Sequence, residues 1–86
     1  MATRRYTVEP HAATRSRRPY WSVDVDGEID GDFPNQRAAL SMAIDAAQLD
    51  GLRGIAAEVV VRSERDGETV VWVFGRDAYP PRFPSG

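Results

Sequence analysis

Glu58-Val-Val-Val-Arg-Ser-Glu-Arg-Asp-Gly-Glu-Thr-Val-Val-Trp-Val-Phe74 is the stretch that decides the fold. Two Val-rich runs, Ala57–Arg62 and Thr69–Phe74, flank a polar turn at Glu64–Gly67. Asp66-Gly67 marks a hairpin, because glycine supplies the positive φ a tight turn demands. Side chains alternate along a strand, so Val71 and Val73 share one face, while Val70, Trp72 and Phe74 share the other. Both rows are apolar, and neither belongs in water.

Working back from that hairpin, Gln36–Leu49 reads as a helix. Leu40, Ala43, Ile44 and Ala47 recur at the spacing of one helical face, flanked by Ala39 and Ala46. Asn35 is placed to cap it, and Gly51 to end it. Small alanines let such a helix lie close on a sheet.

Further upstream, Arg5–Pro10 alternates with Tyr6 and Val8 on one side, and Tyr20–Asp26 alternates with Trp21, Val23 and Val25 inward. His11–Pro19 is a basic loop without periodicity. Asp26-Gly27 is a second hairpin signal. A short third strand at Glu28, Ile29 and Asp30 follows, broken at Gly31-Asp32 before Phe33-Pro34.

The element order is therefore β-β-(β)-α-β-β. It predicts an α+β two-layer sandwich, with an antiparallel sheet and one helix on one face. Residues 1–75 form a single domain, and 76–86 a tail interrupted by Pro80, Pro81 and Pro84. One helix covers one sheet face only. The other apolar row needs the tail, a second copy of the chain, or a different partner.

Composition narrows the function. An 86-residue chain is one domain's worth of sequence. With no cysteine, disulfide scaffolds, Cys-ligated zinc, iron–sulfur clusters and thiol nucleophiles are excluded. No apolar run approaches the roughly 20 residues of a membrane helix. The basic Met1–Arg5 start lacks a following apolar stretch, so no signal peptide is expected, and a bacterial, cytoplasmic protein is the default. The formal charge of −2 conceals an asymmetry: residues 1–18 sum to +4 and residues 19–51 to −6. A net-acidic domain is a poor general nucleic-acid binder, although a local basic arm still binds.

The pattern Tyr6-x-Val8-x-Pro10-His11, a Trp21-x-Val23 strand ending at Gly27, an Ala-rich helix around Ala39, Ala43, Ala46 and Ala47, and a Val59/Val61 strand running to Asp66-Gly67 resembles a family of short bacterial proteins of unknown function. The resemblance covers about residues 5–68. It implies a fold and no activity, and supplies no catalytic residues. The basic loop Ala12–Arg18, the Trp72 strand and the Tyr79–Pro84 tail depart from the family pattern.

Three surfaces are candidates for function. Trp72, Phe74, Tyr79 and Phe83 are the expected anchors of a homodimer or another protein interface, since aromatic residues dominate such contacts. A charge at Trp72 should then dissociate the dimer and spare the helix. Arg15, Arg17 and Arg18 beside Tyr20 form the expected nucleic-acid contact of a rival reading, with arginine on phosphate and the ring on a base. Asp24, Asp26, Glu28, Asp30 and Asp32 form an acidic surface for docking on a basic protein.

Asp26-x-Glu28-x-Asp30-Gly31 also resembles the start of a calcium loop, but Arg37 stands where its final carboxylate belongs, so no metal is expected. His11, the only histidine, is expected to hydrogen-bond a loop carbonyl at a strand end; as a general base it would need a nucleophile such as Ser16 or Ser22 nearby. The Pro81-x-x-Pro84 spacing fits a polyproline ligand, a common and weak match. No phosphate loop, nucleophile elbow or dinucleotide fingerprint is present. The expectation is a non-enzymatic interaction domain without a cofactor.

Overall fold

The computed structural model describes residues 3–82, so Phe83 and Pro84 lie outside the described residues. The chain forms β1 (Arg4–His11), β2 (Tyr20–Val25), β3 (Glu28–Phe33), α1 (Gln36–Leu52), β4 (Ala57–Ser63) and β5 (Gly67–Val73). The strands make one five-stranded sheet in the order β3-β2-β1-β4-β5, with α1 on one face. The expected two-layer α+β sandwich is what forms, and the short strand around Ile29 extends to Phe33.

One central pair departs from the antiparallel expectation. β1 and β4 run parallel, from Arg4–Ala57 to Val8–Val61. The helix is the reason. Its 17 residues span about 25 Å and return the chain to the end of the sheet where β1 began. The sheet is therefore mixed, with antiparallel β1–β2, β2–β3 and β4–β5 pairs around this parallel centre.

Both hairpins close as their Asp-Gly pairs suggest. Asp26 and Gly27 take φ of 53° and 86°, the left-handed conformations of a tight two-residue turn. Asn35 Oδ1 accepts the Ala38 amide at 2.9 Å and caps the helix. The helix runs past Gly51, however, to Leu52, with Arg53 as its C-cap. Gly51 is glycine for another reason: a Cβ there would enter the Phe74 ring. It is a close-packing site, and the positive φ after the helix falls on Gly54.

The core lies between α1 and the sheet. Val8, Val23, Val59 and Trp72 meet Ala39, Ala43, Ile44 and Ala47, all buried. At the start of β1, the Tyr6 hydroxyl donates to Asp50 Oδ2, and Arg4 Nη1 reaches Asp50 Oδ1 at 3.2 Å. Asp50 is 6% exposed, so its charge is tolerated only with these partners. Burial, reinforced by the bond to Asp50, raises the Tyr6 pKa above its ordinary value.

Candidate interaction surfaces

A bulge in β5 rearranges the predicted apolar rows. Val59 pairs with Trp72 but Val60 pairs with Val70, so Val71 is an extra residue. Trp72 consequently lies on the helix side and Val70 on the opposite side, which the strict alternation of the sequence did not anticipate. Trp72 is 2% exposed inside its own chain, and is thus a core residue rather than an anchor between chains. Phe74 is half-buried against the same core, over Gly51.

The tail supplies part of the cover. Trp72 Nε1 donates to the Ala78 carbonyl at 3.1 Å, and the Tyr79 ring meets the indole edge-on at 6.5 Å. The Tyr79 hydroxyl donates to Asp45 Oδ1 on α1 at 2.6 Å, a bond that raises the Tyr79 pKa. The Tyr79–Pro80 peptide is cis. Asp77 Oδ2 accepts the Val73 amide at 2.8 Å, and the Val73 carbonyl accepts from Arg76 and Asp77. These bonds close the lower end of the β5 edge. Val70 and Val71 on the edge strand remain 43% and 41% exposed. A groove of about 370 Å³ is lined by Val71 together with Leu40, Ile44, Pro81 and Arg82.

The face opposite the helix has a different cover. A chain of alternating charge crosses β1, β4 and β5: Glu9 to Arg62 at 3.3 Å, Arg62 to Glu68 at 2.6 Å, Glu68 to Arg5 at 3.2 Å, and Arg5 to Glu58 at 3.4 Å. The last pair is a charge contact only, since Glu58 Oε2 has no hydrogen-bond partner. The aliphatic stems of these residues flank Thr7 and Val60, which are buried at 7% and 1%. The side that seemed to require a foreign cover is thus largely roofed by its own charged side chains.

At the upper end of the sheet the central strands part. Pro10 offers no N–H to a neighbour, and β1–β4 pairing stops at Val8–Val61. β1 continues along β2 to His11–Tyr20, while β4 turns into its hairpin. The gap is a cleft of about 670 Å³. His11, Tyr20, Trp21, Pro10 and Pro19 line one side, and Arg62, Ser63, Glu64 and Arg65 the other. His11 stacks on Tyr20 with centroids 4.5 Å apart and planes 8° from parallel. Its Nε2 lies 2.7 Å from Ser22 Oγ, a hydroxyl on β2 and not the loop carbonyl expected of it.

The Arg loop divides on inspection. Arg17 sits 3.7 Å from the Tyr20 ring centre and pairs with Asp32 at 2.6 Å. Both Arg17 and Tyr20 are therefore engaged within the chain. Arg15 and Arg18 are exposed, and no ion pair among the described residues involves them.

The acidic residues do not form one uniform face. Asp24 accepts the Gly27 amide at 3.1 Å, Asp26 lies 3.5 Å from Arg4, and Asp32 holds Arg17. Register places Asp24 beside Ile29, and Glu28 and Asp30 beside Val25 and Val23, on opposite sides of the sheet. Among the described residues no group of three His, Cys, Asp or Glu is placed to hold a metal, and no helix is long and apolar enough to cross a membrane.

Sequence reasoning missed Arg65 as a neighbour of His11. Nothing local in the sequence announces it, because the proximity follows from the parallel β1–β4 pairing. No family model, curated protein or solved structure matches the chain.

Proposed function

We propose that the chain is a small non-enzymatic interaction module that associates with a second copy of itself through the β5 edge and the tail. One observation supports this above all: Val70 and Val71 lie side by side on an edge strand, both more than 40% exposed. Exposed β-branched residues on an edge are what proteins ordinarily avoid, unless the edge is used. Tyr79, on the helix side of the same edge, is 45% exposed. The Tyr79 anchor predicted from sequence remains in this reading, Trp72 leaves it, and Val71 takes its place.

A symmetric pair is the commonest way to cover such a strip. The contact is one of side chains, because the bulge and the Asp77 cap at Val73 leave little regular edge for strand addition. The resemblance to short bacterial proteins of unknown function is compatible with this reading and adds no activity to it.

Absolute mass by light scattering, over a wide concentration range and at two salt levels, is the test. A dimer insensitive to salt is expected, and Val71→Lys should reduce it to a monomer with an unchanged circular dichroism spectrum. A wild-type monomer at every concentration defeats the proposal, as does a Val71→Lys variant that stays dimeric.

A further inference from the structure

We propose that the cleft between β1 and β4 binds single-stranded nucleic acid, with a base against the His11–Tyr20 stack and the flanking phosphodiesters on Arg65, Arg15 and Arg18. The inference concerns a surface separate from the β5 edge and does not depend on self-association.

Position is the first argument. The cleft lies at the carboxyl ends of the two parallel strands, where strands diverge and a sheet leaves room for a ligand. Its volume of about 670 Å³ falls within the ordinary range of roughly 300–1,000 Å³ for ligand sites.

Stacking is the second. Following the strand order β3-β2-β1, Asp32 pairs with Arg17, Arg17 covers Tyr20, and Tyr20 stacks on His11. This row of planar groups ends at the cleft wall. The next place in the row lies above the end of β4, and a flat nucleobase fits it. Stacking of this kind accepts any base, which suits a strand read without sequence preference.

Charge is the third. Within the cleft Glu9 is matched by Arg62 at 3.3 Å, and Glu64 stands beside Arg65 on the opposite wall. Such balanced walls suit the single charge of a phosphodiester and disfavour a free polyphosphate. Arg65 is exposed and joins no ion pair among the described residues, like Arg15 and Arg18 on the loop whose ends, Ala12 and Pro19, line the same cleft. Three uncommitted guanidiniums around one stacking platform are the pairing that single-strand sites use. Tyr20 thus has an indirect part: it positions His11 and does not itself meet the base.

The test uses the full chain, titrated by NMR with a single-stranded hexa-adenylate RNA, the matching duplex, and adenosine alone. Saturable shifts at His11, the Trp21 indole and Arg65 are expected with the single strand, and weaker ones with adenosine. Log affinity should fall with log salt at a slope of about −2, for three phosphate contacts. Arg65→Gln, an exposed turn position that leaves folding intact, should weaken strand binding about tenfold and flatten the salt slope. His11→Ala should weaken binding about tenfold with the slope unchanged, since stacking releases no counterions. Duplex binding as tight as single-strand binding overturns the proposal. So do strand affinities that neither variant alters, or an absence of saturable shifts at about 1 mM strand.

Discussion

On the helix-covered face, Val8, Val23, Val59 and Trp72 are excluded from water by a close-packed row of alanines and Ile44. On the other face, Thr7, Ser22 and Val60 reach comparable burial beneath charged and aromatic side chains. The first cover is shape-matched and apolar. The second consists of long stems whose heads pair with one another at the surface. The difference teaches that a sheet with one helix need not borrow a second layer. It also assigns different sensitivities: packing changes should damage the first face most, and salt should act on the second.

The largest expected effect comes from breaking the apolar face. Trp72→Ala should cost about 3–5 kcal/mol in chemical denaturation, through the cavity it leaves. A charge at this position should unfold the chain, and not merely separate two copies. Asp50→Ala should follow at about 2–4 kcal/mol, because it strands the Tyr6 hydroxyl in a buried site. The same contact carries an alkaline signature. Tyr6 has a raised pKa, so its stabilisation is complete below the ordinary value of 10.0 and lost as pH rises through the raised one. Asp50→Ala should lessen that alkaline loss in a stability–pH profile without abolishing it, because burial, the first cause of the raised pKa, remains.

Gly51→Ala sharpens the contrast, since it adds a single methyl where the helix meets Phe74. Overpacking of about 1–3 kcal/mol should outweigh a helix-propensity gain of about 1 kcal/mol, read as a lower denaturation midpoint. The smallest effect should come from the charged face. Arg62→Gln should lower stability least, and its loss should shrink in high salt. Hydrogen bonding from Arg62 holds the Glu68 pKa below its ordinary 4.5. Its contribution is therefore present above that value and lost as pH falls through the lowered one. The variant should show a flatter acid limb than wild type. An acid limb identical to wild type would show that the ion chain adds nothing to the roof.

Much of the architecture was readable from local chemistry. Asp26-Gly27 and Asp66-Gly67 closed hairpins, Asn35 capped the helix, and Ala39, Ala43, Ile44 and Ala47 formed its buried face. What escaped was non-local. Alternation assumes one residue per step, and the extra Val71 breaks that count with nothing in its side chain to announce it. Gly51 looked like a terminator because its partner, Phe74, lies 23 positions away in sequence. The parallel centre depends on where the helix delivers the chain, not on either strand's composition. The interface anchors failed at Trp72 for the first of these reasons. The Arg loop was half legible, because Arg17 is claimed by Tyr20 and Asp32 from other elements.

The Val71 bulge has a consequence for the proposed pairing of two copies. A regular β5 would present a continuous ladder to solvent, and a ladder is a polymerising element: each added strand exposes a fresh edge for the next. The irregular step at Val71 and the closed backbone at Val73 interrupt that recursion. What remains exposed is Val70 and Val71, which the proposed symmetric contact would cover. If the proposed self-association holds, the same strand turns an open-ended growth surface into a finite one, and a single inserted residue limits the size of the assembly.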